Sequence, residues 1–193
     1  MKFKLLVLFL LFSSTGAFAQ DSKFSVEANF PIPIDDNFIG QNYGGIVEIG
    51  VAYIFSESDV VNFGASVNAG LLKNSKVLAN NPFDVKLYPI QPRVFVQFNI
   101  KSLAALHPQV GLGYSFLVFN SESNGNNPEF GDLTINRTDG GINLNIGLAY
   151  DISERFFLQA QYDYIRNSVA DGLPDISYNT QVNFLKVGVG FRI

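Results

Sequence analysis

Several charged residues lie within segments that otherwise alternate apolar residues with small or polar ones, and four of them are Glu27, Glu48, Arg93 and Lys186. By this alternation all four fall on the polar face of their segments. Carboxylates and basic groups that share a narrow interior pair with each other, because an unpaired buried charge is costly. We therefore predict that Glu27 and Glu48 meet Arg93 and Lys186 in a polar network that blocks passage through the interior.

The residues needed for catalysis or for a transition-metal site are scarce. The chain holds one histidine, His107, and no cysteine, so it offers no Cys/His cluster. A serine hydrolase needs Ser, His and a carboxylate together, but His107 falls at the start of the fifth predicted strand, on the side with short connections. The acidic segments lack the spaced ligands of a calcium loop. We therefore predict no enzyme, no catalytic residue, no cofactor and no metal site.

The elements that position these side chains are strands with period-two alternation. From Val61 to Leu71, for example, apolar residues alternate with Asn, Gly and Ser. The clearest runs are about 11 to 13 residues long, which exceeds the usual strand length and suits a tilted strand that crosses a membrane. Eight such segments lie near residues 24–30, 44–56, 60–72, 86–100, 105–119, 140–152, 155–166 and 179–193.

The connections between these strands alternate in length. Short hairpin turns are predicted at 57–59, 101–104 and 153–154. Long loops are predicted at 31–43, 73–85, 120–139 and 167–178. This layout is typical of bacterial outer-membrane barrels, which have an even number of strands, short turns at one rim and long loops at the other.

The first 19 residues have the layout of a cleaved secretory signal. Lys2 and Lys4 precede a short apolar run, and a small-residue triplet ends at Ala19. We expect cleavage between Ala19 and Gln20, which leaves residues 20–193 as one barrel domain. Loss of the two lysines changes the formal net charge from −4 to −6, which argues against a nucleic-acid partner.

Together these patterns predict an all-β fold: an eight-stranded antiparallel up-and-down transmembrane β-barrel. Closure leaves no strand edge, so every backbone group within the bilayer finds a partner. A soluble barrel of lipocalin type would reverse the two faces, but the Gly- and Asn-rich face is too small and too polar to form its core. An eight-stranded barrel has an interior that side chains fill, which argues against a wide pore.

The chain resembles the small outer-membrane β-barrel proteins of Gram-negative bacteria, the group that contains OmpA- and OmpX-like barrels. The resemblance rests on the signal, the strands, the loop pattern and the last strand. In that strand Lys186, Gly188, Phe191 and Ile193 match the family's assembly signal, although the family usually ends in an aromatic residue. The resemblance implies an outer-membrane location and recognition by the barrel-assembly machinery.

The long loops are the predicted carriers of specific function. In the third loop Phe130, Leu133 and Ile135 are apolar candidates for binding, on a hairpin that would extend beyond the membrane. We expect a structural or interaction role through these loops, with outer-membrane lipid, lipopolysaccharide, or a surface or periplasmic protein as partner. The alternatives are a narrow channel or carrier for small solutes or apolar molecules and, third, a lipid-modifying outer-membrane enzyme.

Overall fold

A computed structural model of the protein describes residues 23–74, 83–123, 134–168 and 174–193. Within these ranges eight antiparallel strands follow one another around a single closed barrel, in chain order. The predicted fold class is confirmed. The signal and its cleavage site at Ala19 and Gln20 lie outside the described residues, as do Phe130 and Leu133.

Every strand pairs with its neighbours in the sequence. The strands are β1 (Phe24–Ile34), β2 (Tyr43–Glu57), β3 (Val61–Asn74), β4 (Phe83–Phe98), β5 (Leu106–Ser123), β6 (Thr134–Asp151), β7 (Phe156–Asn167) and β8 (Gln181–Arg192). A short helix, α1 (Phe38–Asn42), joins β1 to β2, a 3₁₀ turn (Lys101–Leu103) joins β4 to β5, and helix α2 (Ser177–Thr180) precedes β8. None of the described helices has the length and apolar character needed to cross a membrane.

The barrel closes where β1 pairs with β8. This ladder runs from Ser25 opposite Arg192 to Ile34 opposite Asn183. The ladder between β1 and β2 is shorter and ends at Asn29 opposite Glu48. Residues 30–34 therefore pair on one side only, which suits the two prolines in that stretch because proline has no N–H to donate.

The outward face of the strands is an apolar belt. Phe63, Val67, Leu144, Ile146 and Leu148 are exposed on it, and Val61 is half-buried. Many of the alternating positions that point into the barrel are small or polar, such as Ser66, Asn68 and Asn145. A wall with this polarity needs an apolar solvent outside, as in a membrane barrel.

Several strands extend further toward the long loops than the sequence pattern indicates. The loop predicted over residues 31–43 is shorter than expected, because β1 continues to Ile34, α1 covers Phe38–Asn42 and β2 begins at Tyr43. The Asn37 side chain starts α1 by accepting a hydrogen bond of 2.7 Å from the Gly40 N–H. β5 and β6 also continue beyond their predicted limits and pair as far as Glu122 opposite Thr134.

The barrel interior is divided along its axis. Side chains nearer the short turns are mostly polar, whereas those nearer the long loops form an apolar layer. We use this name for Ile39, Tyr43, Leu72, Leu87, Leu117, Ile165, Val182 and Phe184, which are all buried together. The sequence predicted a polar interior throughout, so the apolar layer is a departure from that prediction.

Candidate functional site

Four charged side chains meet in the middle of the barrel. This charge cluster consists of Glu48 on β2, Arg93 on β4, Asp163 on β7 and Lys186 on β8, and all four are buried. Two acidic and two basic groups give it no formal net charge. Each lies on the inward face because the neighbouring positions along its strand point to the belt.

Lys186 is the centre of the charge cluster and is only 1% exposed. Its ammonium group lies 2.5 Å from a Glu48 oxygen and 2.6 Å from an Asp163 oxygen. It also donates a hydrogen bond of 2.5 Å to the Gln91 side-chain oxygen. The ammonium therefore contacts three side-chain oxygens, two of them carboxylate oxygens that balance its charge.

Arg93 holds the opposite side of the charge cluster. Its guanidinium donates to Asp163 at 2.9 Å, to the Asn68 side-chain oxygen at 2.9 Å and to the Ser66 hydroxyl at 3.2 Å. Asn145 donates a further bond of 2.6 Å to Asp163. The guanidinium and the ammonium therefore share Asp163, which explains how a carboxylate with no exposed surface stays charged.

The predicted pairing of Glu27 with a basic partner is wrong. Glu27 lies closer to the short turns, where its carboxylate accepts a hydrogen bond of 2.9 Å from the Gln159 side chain. Gln159 also donates to Asn29, which in turn donates to Glu48 at 3.3 Å. Glu27 is thus linked to the charge cluster only through the amides of Gln159 and Asn29. Asp163 is the acidic partner of Arg93 and Lys186, the role that was predicted for Glu27.

Asp163 was missed because the alternation places it among several inward polar residues without ranking them. The signal that identifies it is the cyclic strand order. β4 and β8 lie on opposite walls of an eight-stranded barrel, so Arg93 and Lys186 need an acidic group on the strands between them. Asp163 is the inward acidic residue that β7 supplies at that height.

A cavity of about 350 Å³ lies at the long-loop end, which we call the outer cavity. Its apolar lining includes Phe38, Ile39, Tyr43, Phe119, Tyr178 and Val182. Three of these residues, Ile39, Tyr43 and Val182, belong to the apolar layer, which forms the floor. Asn167, Arg137 and Asp139 add polar groups to the wall.

A second polar group of residues lies at the short-turn end. His107 is 2.9 Å from one Asp151 oxygen, and Arg192 is 2.7 Å from the other. The Arg192 guanidinium also lies 4.9 Å from the centre of the Phe157 ring. His107 forms no hydrogen bond with a serine or threonine hydroxyl in the described part of the chain, so a complete hydrolase triad is not assembled around it.

The residues of the predicted assembly signal have structural roles in β8. Lys186 belongs to the charge cluster, and Gly188 lies so close to β1 that a Cβ atom would come within 2.3 Å of the Ala28 carbonyl oxygen. Phe191 packs against Phe156 with ring centres 4.8 Å apart and the two rings tilted by 55°. The backbone N–H of Ile193 donates to the Phe24 carbonyl at 3.0 Å. Recognition of these residues by assembly machinery stays a prediction.

Among the loop candidates, Ile135 is the one within the described backbone. It lies on β6 opposite Ser121 of β5. Residues 134–140 of β6 pair with β5 alone, because the ladder to β7 begins at Gly141. β4 runs beside β5 to the same height, where Phe83 pairs with Ser123. The ends of β4, β5 and β6 therefore project together past β7 at the long-loop end.

Comparison with known proteins shows which family the chain matches. The family model described as "Outer membrane protein beta-barrel domain" matches residues 5–192. No curated protein sequence matches the chain.

Solved structures share the fold at low sequence identity. Neisserial surface protein A (NspA) matches with a TM-score of 0.60 and 18% identity, over 89% of this chain and 98% of that protein. Ail, the attachment invasion locus protein of Yersinia pestis, solved with the heparin analogue sucrose octasulfate, matches with a TM-score of 0.58 and 16% identity, over 88% and 96%. The outer membrane enzyme PagL matches with a TM-score of 0.50 and 11% identity, over 88% and 99%. These likenesses show the fold alone, and one fold carries many activities.

Proposed function

This chain belongs to the outer membrane protein beta-barrel domain family, whose barrels lie in the bacterial outer membrane. We propose that the interior of its barrel is blocked to solutes and that the protein acts at its long-loop end. Its role is structural or in surface interaction rather than in diffusion of solutes. The observation that carries this proposal is the contact of Lys186 on β8 with Gln91 on β4, which joins opposite walls of the barrel.

The energy of the charge cluster supports the proposal that solutes do not pass through the barrel. A solute that passed through the barrel would have to separate Lys186 from Glu48 and Asp163, and breaking a buried ion pair costs about 3 to 5 kcal/mol. The narrow bore of an eight-stranded barrel leaves no room to pass beside the pairs.

The apolar layer adds a second barrier above the charge cluster. Leu72, Leu87, Leu117 and Ile165 are each fully buried within it. An ion that entered from the long loops would lose its water there without gaining a polar ligand, which is costly. The charge cluster and the apolar layer together favour a blocked interior over the alternative function of a narrow ion channel.

The projecting ends of β4, β5 and β6 are the part best placed to meet a partner. Long loops of outer-membrane barrels face the cell exterior, and binding residues commonly lie on such loops. We propose that Phe130, Leu133 and Ile135 contact a protein or lipopolysaccharide. Recognition of β8 by the barrel-assembly machinery belongs to the same proposal, and so does a mature domain of residues 20–193 exported by the first 19 residues.

The charges at the long-loop end narrow the chemistry of the partner. Arg137 pairs with Asp139 at 2.7 Å, and Arg166 pairs with Asp175 at 3.1 Å. These two guanidinium groups are thus neutralised within the chain. A partner bound mainly through its anionic groups, such as the heparin analogue bound to Ail, would have to displace these pairs. We therefore propose that a protein or lipopolysaccharide makes its contact here mainly through apolar groups.

Conductance measurements test whether the barrel is closed. Purified protein inserted into planar lipid bilayers should leave the current at the level of the empty bilayer. Lys186→Met removes the central ammonium, and Lys101→Met, in an exposed turn, is the matched control. Wild-type channels of fixed conductance that change in Lys186→Met and persist in Lys101→Met would contradict the proposal.

A loop replacement tests the interaction role. Exchange of residues 123–133 for Asn-Gly keeps the Glu122 to Thr134 pair and supplies a two-residue hairpin turn. Adhesion of cells that express the protein should fall to the level of cells with empty vector, while exchange of Ser58-Asp59 for Asn-Gly at the opposite rim should leave adhesion intact. Unchanged adhesion after the loop replacement, or wild-type adhesion equal to vector, would reject the role.

A further inference from the structure

We propose that the outer cavity binds a small, neutral, mainly apolar molecule that carries a hydroxyl group. This inference goes beyond the closed-barrel function, since a ligand can occupy the cavity whether or not the barrel conducts. Its basis is the size of the cavity, its apolar lining, the internal pairing of its charges and one buried amide without a partner.

The size and lining of the outer cavity favour a small organic ligand. Small-molecule sites usually measure about 300 to 1,000 Å³ and combine apolar walls with a few polar groups. The outer cavity, at about 350 Å³, is at the lower end of this range. Tyr43 and Phe119 contribute rings whose centres are 6.0 Å apart, in an edge-to-face arrangement. A molecule of about the size of two fused six-membered rings fits such walls.

The charges of the outer cavity favour a neutral ligand. Arg137 and Asp139 are its charged lining residues, and the Arg137 Nε donates to an Asp139 oxygen at 2.7 Å. The pair has no net charge, so neither a carboxylate nor an ammonium on the ligand would gain a free counter-ion. A charged ligand would also lose its hydration beside the apolar walls.

Asn167 favours a ligand with a hydroxyl group. Its side chain lines the outer cavity and is 7% exposed, and its Oδ1 is buried without a hydrogen-bond partner. A buried amide that lacks a partner costs stability, which a ligand would recover. A hydroxyl both donates and accepts, so it satisfies this amide in either of its two flipped orientations.

The floor of the outer cavity defines how deep the ligand goes. Ile39 and Val182 are each 2% exposed and belong to both the cavity lining and the apolar layer. Below them lies the charge cluster, where an apolar molecule would have to break ion pairs. The ligand therefore enters from the long-loop end and stops at the apolar layer.

Binding can be located with methyl resonances. Protein with labelled Ile and Val methyl groups, embedded in phospholipid nanodiscs, is titrated with 2-naphthol. Saturable shifts are expected at Ile39 and Val182. The outward-facing Val187 and Val189 on the same strand report how much probe partitions into lipid. Shifts confined to these outward methyl groups would overturn the proposal.

The hydroxyl is tested by comparison with naphthalene, which has the same rings and no donor. 2-Naphthol should bind about tenfold more tightly than naphthalene, as expected for one hydrogen bond to a buried group. In Asn167→Leu the two probes should bind equally well. Equal affinities in the wild-type protein, or a preference for 2-naphthol that persists in Asn167→Leu, would overturn the hydroxyl assignment.

A filled cavity provides a second variant. Val182→Trp should abolish the saturable shift at Ile39, while Val187→Trp, which adds the same side chain to the outer wall, should leave it unchanged. Folding of each variant is checked by the methyl spectrum without probe. If Val182→Trp does not fold, the comparison of the two probes in wild-type and Asn167→Leu protein decides the question alone. Persistent shifts at Ile39 in folded Val182→Trp would overturn the site.

Discussion

Replacement of Lys186 by Met tests the charge cluster most directly. Met keeps much of the side-chain volume but removes the positive charge, so Glu48 loses its basic partner. Glu48 keeps two amide donors, Asn29 at 3.3 Å and Asn68 at 3.2 Å, and Asp163 keeps Arg93. Breaking a buried ion pair costs about 3 to 5 kcal/mol. We expect the lower end of that range, about 3 kcal/mol of unfolding free energy, because these hydrogen bonds remain.

A second substitution distinguishes the free energy lost with the Lys186–Glu48 ion pair from the free energy lost with the packing of the Lys186 side chain. In the double variant Lys186→Met, Glu48→Gln the unpaired carboxylate is gone, and most of the lost stability should return, to within about 1 kcal/mol of the wild-type value. Glu48→Gln should therefore recover about 2 kcal/mol in the Lys186→Met background, and measurement of Glu48→Gln alone completes the double-mutant cycle and gives the coupling energy.

Unfolding in urea in the presence of lipid vesicles measures these energies. The folded fraction is read from the mobility of the unheated barrel on gels, since the chain has no tryptophan for fluorescence. Lys101→Met, in the exposed turn, controls for the loss of one lysine. A cost below about 1 kcal/mol for Lys186→Met, or a double variant no more stable than the single one, would refute the assignment of an energetically important buried pair.

Two further predictions concern the wall of the barrel. Ile146 points outward and is 62% exposed, so Ile146→Arg should destabilise the folded protein in lipid vesicles by about 2 to 4 kcal/mol. The control Ile152→Arg, at the short-turn rim, should cost about 1 kcal/mol or less. Equal costs would show that the apolar belt does not lie within the hydrocarbon of the membrane. Gly188→Val should destabilise the barrel by about 2 kcal/mol or more, because a Cβ there would lie 2.3 Å from the Ala28 carbonyl oxygen, while Gly111→Ala, with its nearest contact at 3.3 Å, should be much milder. Similar urea midpoints for the two glycine variants would show that β8 and β1 separate easily.

The sequence predicts the strands well because the two faces of a membrane wall differ sharply at every step. Val67 and Leu144 are apolar, and their neighbours Asn68 and Asn143 are polar, so the alternation indicates which side chains face inward. The number of strands and the closure of β8 on β1 follow from the same pattern, since an open edge is not tolerated in lipid.

The sequence is less informative about the interior and the long-loop end. Alternation places Ile165 and Phe184 on the inward face but does not show that they meet Leu72 and Leu87 from other strands in one apolar layer. That grouping depends on the stagger of the strands around the barrel, which no local pattern encodes. The helix α1 was missed for a similar reason, because a five-residue helix has too few turns to show a period.

The charge cluster has a consequence for how the protein enters the membrane. Its four members come from β2, β4, β7 and β8, so the set is complete only after nearly the whole chain has been placed in the sheet. Before β8 is in place, a partly inserted sheet would hold the Glu48 carboxylate in hydrocarbon without the Lys186 ammonium, which is an unfavourable intermediate. Insertion should thus proceed as one cooperative event, with the last strand delivering the cation to carboxylates that its predecessors have already brought into place.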